Sequence, residues 1–234
     1  MRDRSGKFEL VVRPKNRTPA DEYPHQGRTW IEGRDNSSFV VEVTNHGHLR
    51  ARAVVSVDGV SVLDGKPASF DGQGYVVNPG QTISIPGWAT SASSAAEFFF
   101  TRKSEGYAEQ TGQGGNAGVI GAAFFEERPP VATRRVTPGG KPWSPMTKGI
   151  VASASLSTGF GDSVDWNTTQ TTFDQAHSTP SATLVLNYDS ASNLQKMGIR
   201  LRERNVATAT SQAFPGNSAG YCEPPPSWVT KNTR

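Results

Sequence analysis

Residues 39–65 read FVVEVTNHGHLRARAVVSVDGVSVLDG, and their pattern decides the fold. Phe39, Val41 and Val43 alternate with Val40, Glu42 and Thr44, the period of a strand with two distinct faces. Asn45-His46-Gly47-His48 reads as a turn. Ala51, Ala53, Val55 and Val57 then share one face, with Arg52 and Ser56 on the other. Asp58-Gly59 follows, then Val60-Ser61-Val62-Leu63, then Asp64-Gly65. Asp-Gly between apolar alternations is a strong hairpin signal, because both residues accept positive φ.

The same rhythm extends outward. Tyr75–Val77 runs into the Asn78-Pro79-Gly80 turn, and Thr82–Ile85 stops at Pro86-Gly87. Ala95–Phe100 and Val119–Phe125 are nearly continuous apolar runs, as expected of strands buried on both faces. Between them, Gly106–Gly118 reads as a glycine-rich loop. Residues 131–149 read as a proline-rich connector, and Ser157–Asp162 as a further loop. Val164, Trp166 and Thr168 share one face of a polar strand. Ala182, Leu184, Leu186 and Tyr188 alternate cleanly. One short helix is predicted, capped by Ser190 or Asp189, carrying Leu194 and Met197 at i, i+3 and closed by Gly198. Ile199 and Leu201 alternate with Arg200 and Arg202, an edge-strand pattern. About ten short strands with turn signals every 8–12 residues predict an all-β antiparallel β-sandwich, jelly-roll-like, with one short helix. The predicted organisation is an irregular N-terminal arm (1–35), a β-sandwich domain (36–202) and a C-terminal tail (203–234).

Composition agrees with this class. The chain has 234 residues, of which 35% are hydrophobic and 19% charged, with 24 glycines and 16 prolines. No run approaches the roughly 18 apolar residues of a membrane span, so no membrane partner is predicted. Met1–Pro14 lacks the long apolar stretch of a signal peptide. Cys222 stands alone, which excludes an internal disulfide framework. The net charge of +3 is uneven: residues 1–35 carry +2, residues 36–195 carry −3 and residues 196–234 carry +4. An acidic body is not what a nucleic-acid-binding face requires, so no direct nucleic-acid site is predicted.

Several motifs approach a chemistry without completing it. Gly216-Asn217-Ser218-Ala219-Gly220 matches G-x-S-x-G, but it lacks the preceding strand and following helix that strain a nucleophile elbow. His46 and His48 flank a glycine without a third ligand, and His25 and His177 stand apart. Thr111–Gly118 lacks the Gly-Lys-Ser/Thr ending of a phosphate loop. Asp58, Asp64 and Asp71 each precede a glycine and read as turn residues. Asp162 and Asp165 could form a carboxylate pair. Trp30, Trp88, Trp143, Trp166 and Trp228 could form a sugar-stacking platform. None of these meets the requirements of its chemistry, so no catalytic, cofactor-binding or metal residue and no cofactor is predicted.

Gln26-Gly27-Arg28, Ile31-Glu32-Gly33-Arg34, Phe39–Asn45 and Val54–Ser69 belong to a longer series of matching segments. The series continues through Gly74–Val77, Pro79-Gly80-Gln81, Ile85-Pro86-Gly87-Trp88, Phe98-Phe99-Phe100 and Gly118–Gly121. It resumes at Ser157–Gly161, Phe173, Ala182–Asp189, Leu194 and Gly198-Ile199. Over about residues 23–202 the chain thereby resembles an uncharacterised β-rich family encoded by bacteria and tailed phages. One departure is Glu97–Thr101 with Ser104-Glu105-Gly106-Tyr107, where Asp-Ser-Tyr is expected before the glycine loop. The resemblance implies a phage or phage-derived β protein that is not an enzyme. With a polar β-body that offers no site, aromatic residues outside the clear strands and irregular tails, the expectation is a structural component of a tailed-phage virion, assembled in the host cytoplasm. It would be a capsid-decoration or neck/tail protein. Its expected partners are other virion proteins (major capsid or tail/neck subunits) and further copies of itself as a homo-oligomer. A receptor- or glycan-binding module using the tryptophans and loop 106–118 is the alternative, and a small hydrolase using Asp162, Asp165 or Ser218 a second.

Overall fold

The computed structural model describes residues 1–15, 17–129 and 155–202. The described strands are β1 (Phe8–Pro14), β2 (Tyr23–His25), β3 (Arg28–Gly33), β4 (Ser38–Asn45), β5 (Ala51–Val57) and β6 (Val60–Ser61). They continue with β7 (Tyr75–Val77), β8 (Thr82–Ile85), β9 (Gly87–Ala89), β10 (Ser94–Arg102), β11 (Val119–Glu126), β12 (Leu156–Asp165) and β13 (Ala182–Ser190). Two short helices, α1 (Tyr107–Gln110) and α2 (Ala191–Lys196), accompany them.

The strands form an all-β, two-sheet sandwich. One sheet runs β1-β4-β10-β12, with β8 also on β4 and β9 on β10. The other runs β2-β3-β13-β11-β5-β6, with β7 also on β5. The inward faces carry the alternating residues of the sequence pattern. Phe39, Val41 and Val43 of β4 meet Val55 and Val57 of β5, Ile120 and Phe124 of β11, and Leu184, Leu186 and Tyr188 of β13 in one buried cluster. Aromatic rings join the sheets: Phe8 stacks on Phe124 at 4.6 Å, and Phe100 packs against Tyr188 at 5.1 Å. Such pairs add about 0.5–1.5 kcal/mol beyond the area they bury.

The predicted helix is α2. Ser190 caps it by accepting the Asn193 N–H. Gly198, at φ +87°, closes it in a Schellman motif: Ile199 N–H reaches the Leu194 carbonyl and Gly198 N–H the Gln195 carbonyl. Leu194 and Ile199 complete the motif with a hydrophobic contact. They bury together with Tyr23 and Trp30 in a separate cluster. Because Ile31 lies in the main core, Trp30 faces the opposite side of the sheet. α2 therefore covers the outer face of the sheet at β2 and β3.

Several expectations are corrected. Residues 1–35 are not an irregular arm: β1, β2 and β3 lie within them, and β1 pairs with β4 over seven residues from Phe8↔Asn45 to Pro14↔Phe39. Phe8, Leu10 and Val12 are buried in the main core and form the inward face of a strand. Residues 157–162 are not a loop but part of β12, where Gly159 lets the Phe99 ring lie against the backbone. An ideal Cβ at Gly159 would sit 2.2 Å from that ring. Loop 106–118 contains α1 and a 3-10 turn at Gly114–Asn116. Ile199 and Leu201 pack against α2 as coil and are not an edge strand. The sandwich is not wholly antiparallel, since β3 and β13 pair in parallel. The connector 131–149 and residues 203–234 lie outside the described residues.

Candidate functional site

The polar chemistry of the sandwich gathers at Asp58. This residue opens the β5–β6 turn at φ 54°, followed by Gly59 at φ 78°, the backbone that Asp-Gly predicts. Its side chain turns inward and is fully buried. Oδ1 accepts from the Gly118 N–H at 2.8 Å and the Tyr188 hydroxyl at 2.7 Å. Oδ2 accepts from the Ser157 hydroxyl and the Thr158 N–H, each at 2.7 Å. Thr158 Oγ1 lies 2.8 Å from the Tyr188 oxygen, so it can donate into the lone pair left there. One carboxyl thus ties β12, at the edge of one sheet, to β13 and the entry of β11 in the other.

Burial pushes the Asp58 carboxyl above its ordinary value, and the hydroxyls of Tyr188 and Ser157 with the N–H groups of Thr158 and Gly118 pull against it. Burial likewise raises the Tyr188 phenol, and the adjacent Asp58 raises it further. These groups are sealed from solvent, so the cluster clamps the two sheets together and offers no face to a substrate. The turn reading of Asp58 accounts for its backbone alone. Local pattern carries no mark of a turn side chain that points into the core.

A second feature faces solvent. On the outer side of β5, β11 and β13, Ser56, Gly121 and Val185 lie in one cross-strand row and Val54, Ala123 and Thr183 in the next. Loop 68–72 forms a wall beside them. Arg52 holds that wall by donating to the carbonyls of Phe70 and Gly72, while its guanidinium lies over the Phe125 ring at 4.6 Å. The result is a trough of about 300 Å³ whose lining contains no charged side chain. Phe70, 44% exposed, and Val185, 39% exposed, both belong to it.

The residues nominated from sequence do not converge. His46 bonds Glu9 Oε2 at 2.8 Å, while His48 is exposed. Among the described residues no three or more His, Cys, Asp or Glu cluster as metal ligands would. Asp162 and Asp165 stand three apart on β12, which directs them to opposite faces. Asp64 and Asp71 remain turn residues outside the core. Trp30 and Trp88 are buried in different clusters, and Trp88 Nε1 donates to the Gly159 carbonyl at 3.0 Å. Trp166 is half-buried, edge-on to Tyr75. Ser218, Cys222, Trp143 and Trp228 lie outside the described residues. No helix among the described residues is long and apolar enough to cross a membrane.

Searches of family models, of curated proteins and of solved structures find no match to this chain.

Proposed function

We propose that this chain is a structural β-sandwich component of a tailed-phage particle, acting through protein–protein assembly. The observation that carries the assembly reading is the trough on the outer face of β5, β11 and β13. Two large apolar side chains, Phe70 and Val185, stand exposed in one uncharged depression. Exposed apolar side chains gathered in an uncharged depression offer a contact surface to a protein partner. The virion setting, with major capsid or tail/neck subunits as partners, is supported by the resemblance of residues 23–202 to a phage-encoded family. The test is mass spectrometry of virions released by the source strain. The chain is expected among the structural proteins at a fixed ratio to the major capsid protein, and its absence from particles overturns the reading.

A receptor- or glycan-binding role is a second reading, favoured by one ring pair. Phe160, 49% exposed on β12, stacks on Tyr107 at a centroid distance of 5.3 Å. A solvent-facing ring backed by another ring is a stacking surface for a sugar. A glycan array run with the wild type and Phe160→Ala tests it: signal lost in the variant supports the reading, and no signal with either protein rejects it.

A further inference from the structure

We propose that the Phe160 ring of one copy of this chain seats in the uncharged trough of the next, joining copies head to tail. The inference rests on the assembly reading above and names a second copy as the occupant of its contact surface.

Three observations carry it. The first is complementarity. Among the described residues three large hydrophobic side chains stand exposed: Phe70, Phe160 and Val185. Phe70 and Val185 line the trough, and Phe160, 49% exposed, is the one outside it. The trough holds about 300 Å³ and has no charged side chain in its lining. A charge seated there would be desolvated without a counter-charge, which is costly, whereas a phenyl ring has no polar group to desolvate. The second is shape. Phe160 lies between Gly159 and Gly161, so no side chain of an adjacent residue shields its ring. The ring stacks on Tyr107 at 5.3 Å, and Tyr107 packs on Trp88 at 4.6 Å. Across the contact, Arg52 holds the Phe70 wall through two carbonyls. Knob and hole are therefore both ordered before they meet, which lowers the cost of association. The third is position. Phe160 is fixed opposite Phe98 in the β10–β12 ladder of one sheet, and the trough opens on the outer face of the other. Both belong to the same compact body, Met1–Leu201, so a chain cannot place its own ring in its own trough. The contact joins two copies. It is heterologous: each joined pair keeps one free ring and one free trough, so assembly continues to a ring or a filament.

The test uses the full chain in a Cys222→Ser background. Asp162 is exposed two residues from Phe160, and Thr183 is exposed on the trough floor. Asp162→Cys with Thr183→Cys therefore places one thiol at each half of the contact and leaves the ring in place. Under mild oxidation we expect a ladder of disulfide-linked dimers, trimers and higher species. It should stand about tenfold above a control that pairs Asp162→Cys with Gln195→Cys, exposed on α2, because docking raises the local thiol concentration. Adding Phe160→Ala or Val185→Glu should return the ladder to the control level. Without introduced thiols, Phe160→Ala and Val185→Glu chains should each stay monomeric by light scattering. Mixed, they supply one ring and one trough and should form dimers that stop at two. Cross-linking at the control level overturns the proposal. So does equal cross-linking by Thr183→Cys alone, which would set trough against trough. If the chain occurs in virions at a fixed ratio but the ladder is absent, the trough inference fails and the assembly reading stands. If the ladder forms but the chain is missing from virions, the reading fails and the inference stands.

Discussion

Asp58→Asn is the substitution that separates the clamp from the turn. Asparagine keeps the left-handed backbone at φ 54°, which alanine would strain by roughly 1–2 kcal/mol. It changes only one oxygen into an NH2 group. Each Asp58 oxygen receives one backbone N–H, Gly118 on Oδ1 and Thr158 on Oδ2. Neither orientation of the amide can therefore avoid setting its NH2 against a buried N–H. The hydroxyls can partly adjust: the Ser157 hydroxyl can rotate, and the Tyr188 hydroxyl can turn to Thr158 Oγ1, 2.8 Å away. The backbone donors cannot. One orphaned buried donor costs about 1–3 kcal/mol, and the lost hydrogen bond to the carboxyl adds about 1. We expect a loss of about 2–4 kcal/mol, seen as a drop in Tm of roughly 5–15 °C by circular dichroism. Tyr188→Phe and Ser157→Ala should each cost about 1 kcal/mol, since each removes one adjustable hydroxyl. Asp58→Asn within about 0.5 kcal/mol of the wild type, the range of an ordinary surface change, would refute the clamp.

Other outcomes follow from the same packing. Phe8→Ala, which removes the ring stacked on Phe124, should cost about 3–5 kcal/mol by denaturant titration, and removal of residues 1–14 should prevent folding because β4 loses its seven-residue pairing with β1 and the core loses Phe8, Leu10 and Val12. Gly87→Ala should abolish soluble expression or lower Tm steeply, because an ideal Cβ there would lie 1.9 Å from the Ala96 carbonyl oxygen. Burial raises the Asp58 carboxyl, so the folded chain holds that proton more tightly than the unfolded chain. Its contribution is complete below the ordinary carboxylate range and is lost as pH rises through the folded value. Stability measured against pH should fall less across that window in Asp58→Asn than in the wild type.

What was legible in the sequence follows the range of the forces involved. β4, β5, β8 and β13 follow from alternation, β10 and β11 from nearly continuous apolar runs, and α2 from Ser190 and Gly198, because those signals are local. β1 was hidden because the short alternation of Phe8, Leu10 and Val12 lies in a segment crowded with charged residues, and the β4 ladder that completes it is distant in the chain. β12 was hidden by Gly159 and Gly161, which look like loop residues. The Phe99 ring and the Glu97 carbonyl lie where their side chains would be. Asp58 was legible as a turn and illegible as a clamp, since its partners Ser157, Thr158 and Tyr188 lie about 100–130 residues away. The trough was equally out of reach. It depends on three strands and a loop that meet only after folding.

The most direct test of the assembly account replaces the wild-type gene in the source strain by the Val185→Glu allele and measures the chain's copy number in purified virions. Val185 is partly exposed on the trough floor, so the variant should fold and accumulate in the cell. The account predicts wild-type protein at a fixed ratio to the capsid protein, with the variant depleted at least about tenfold, as expected when a charge enters the core of an interface at a cost above roughly 1.4 kcal/mol. Incorporation of the variant at the wild-type ratio would contradict it.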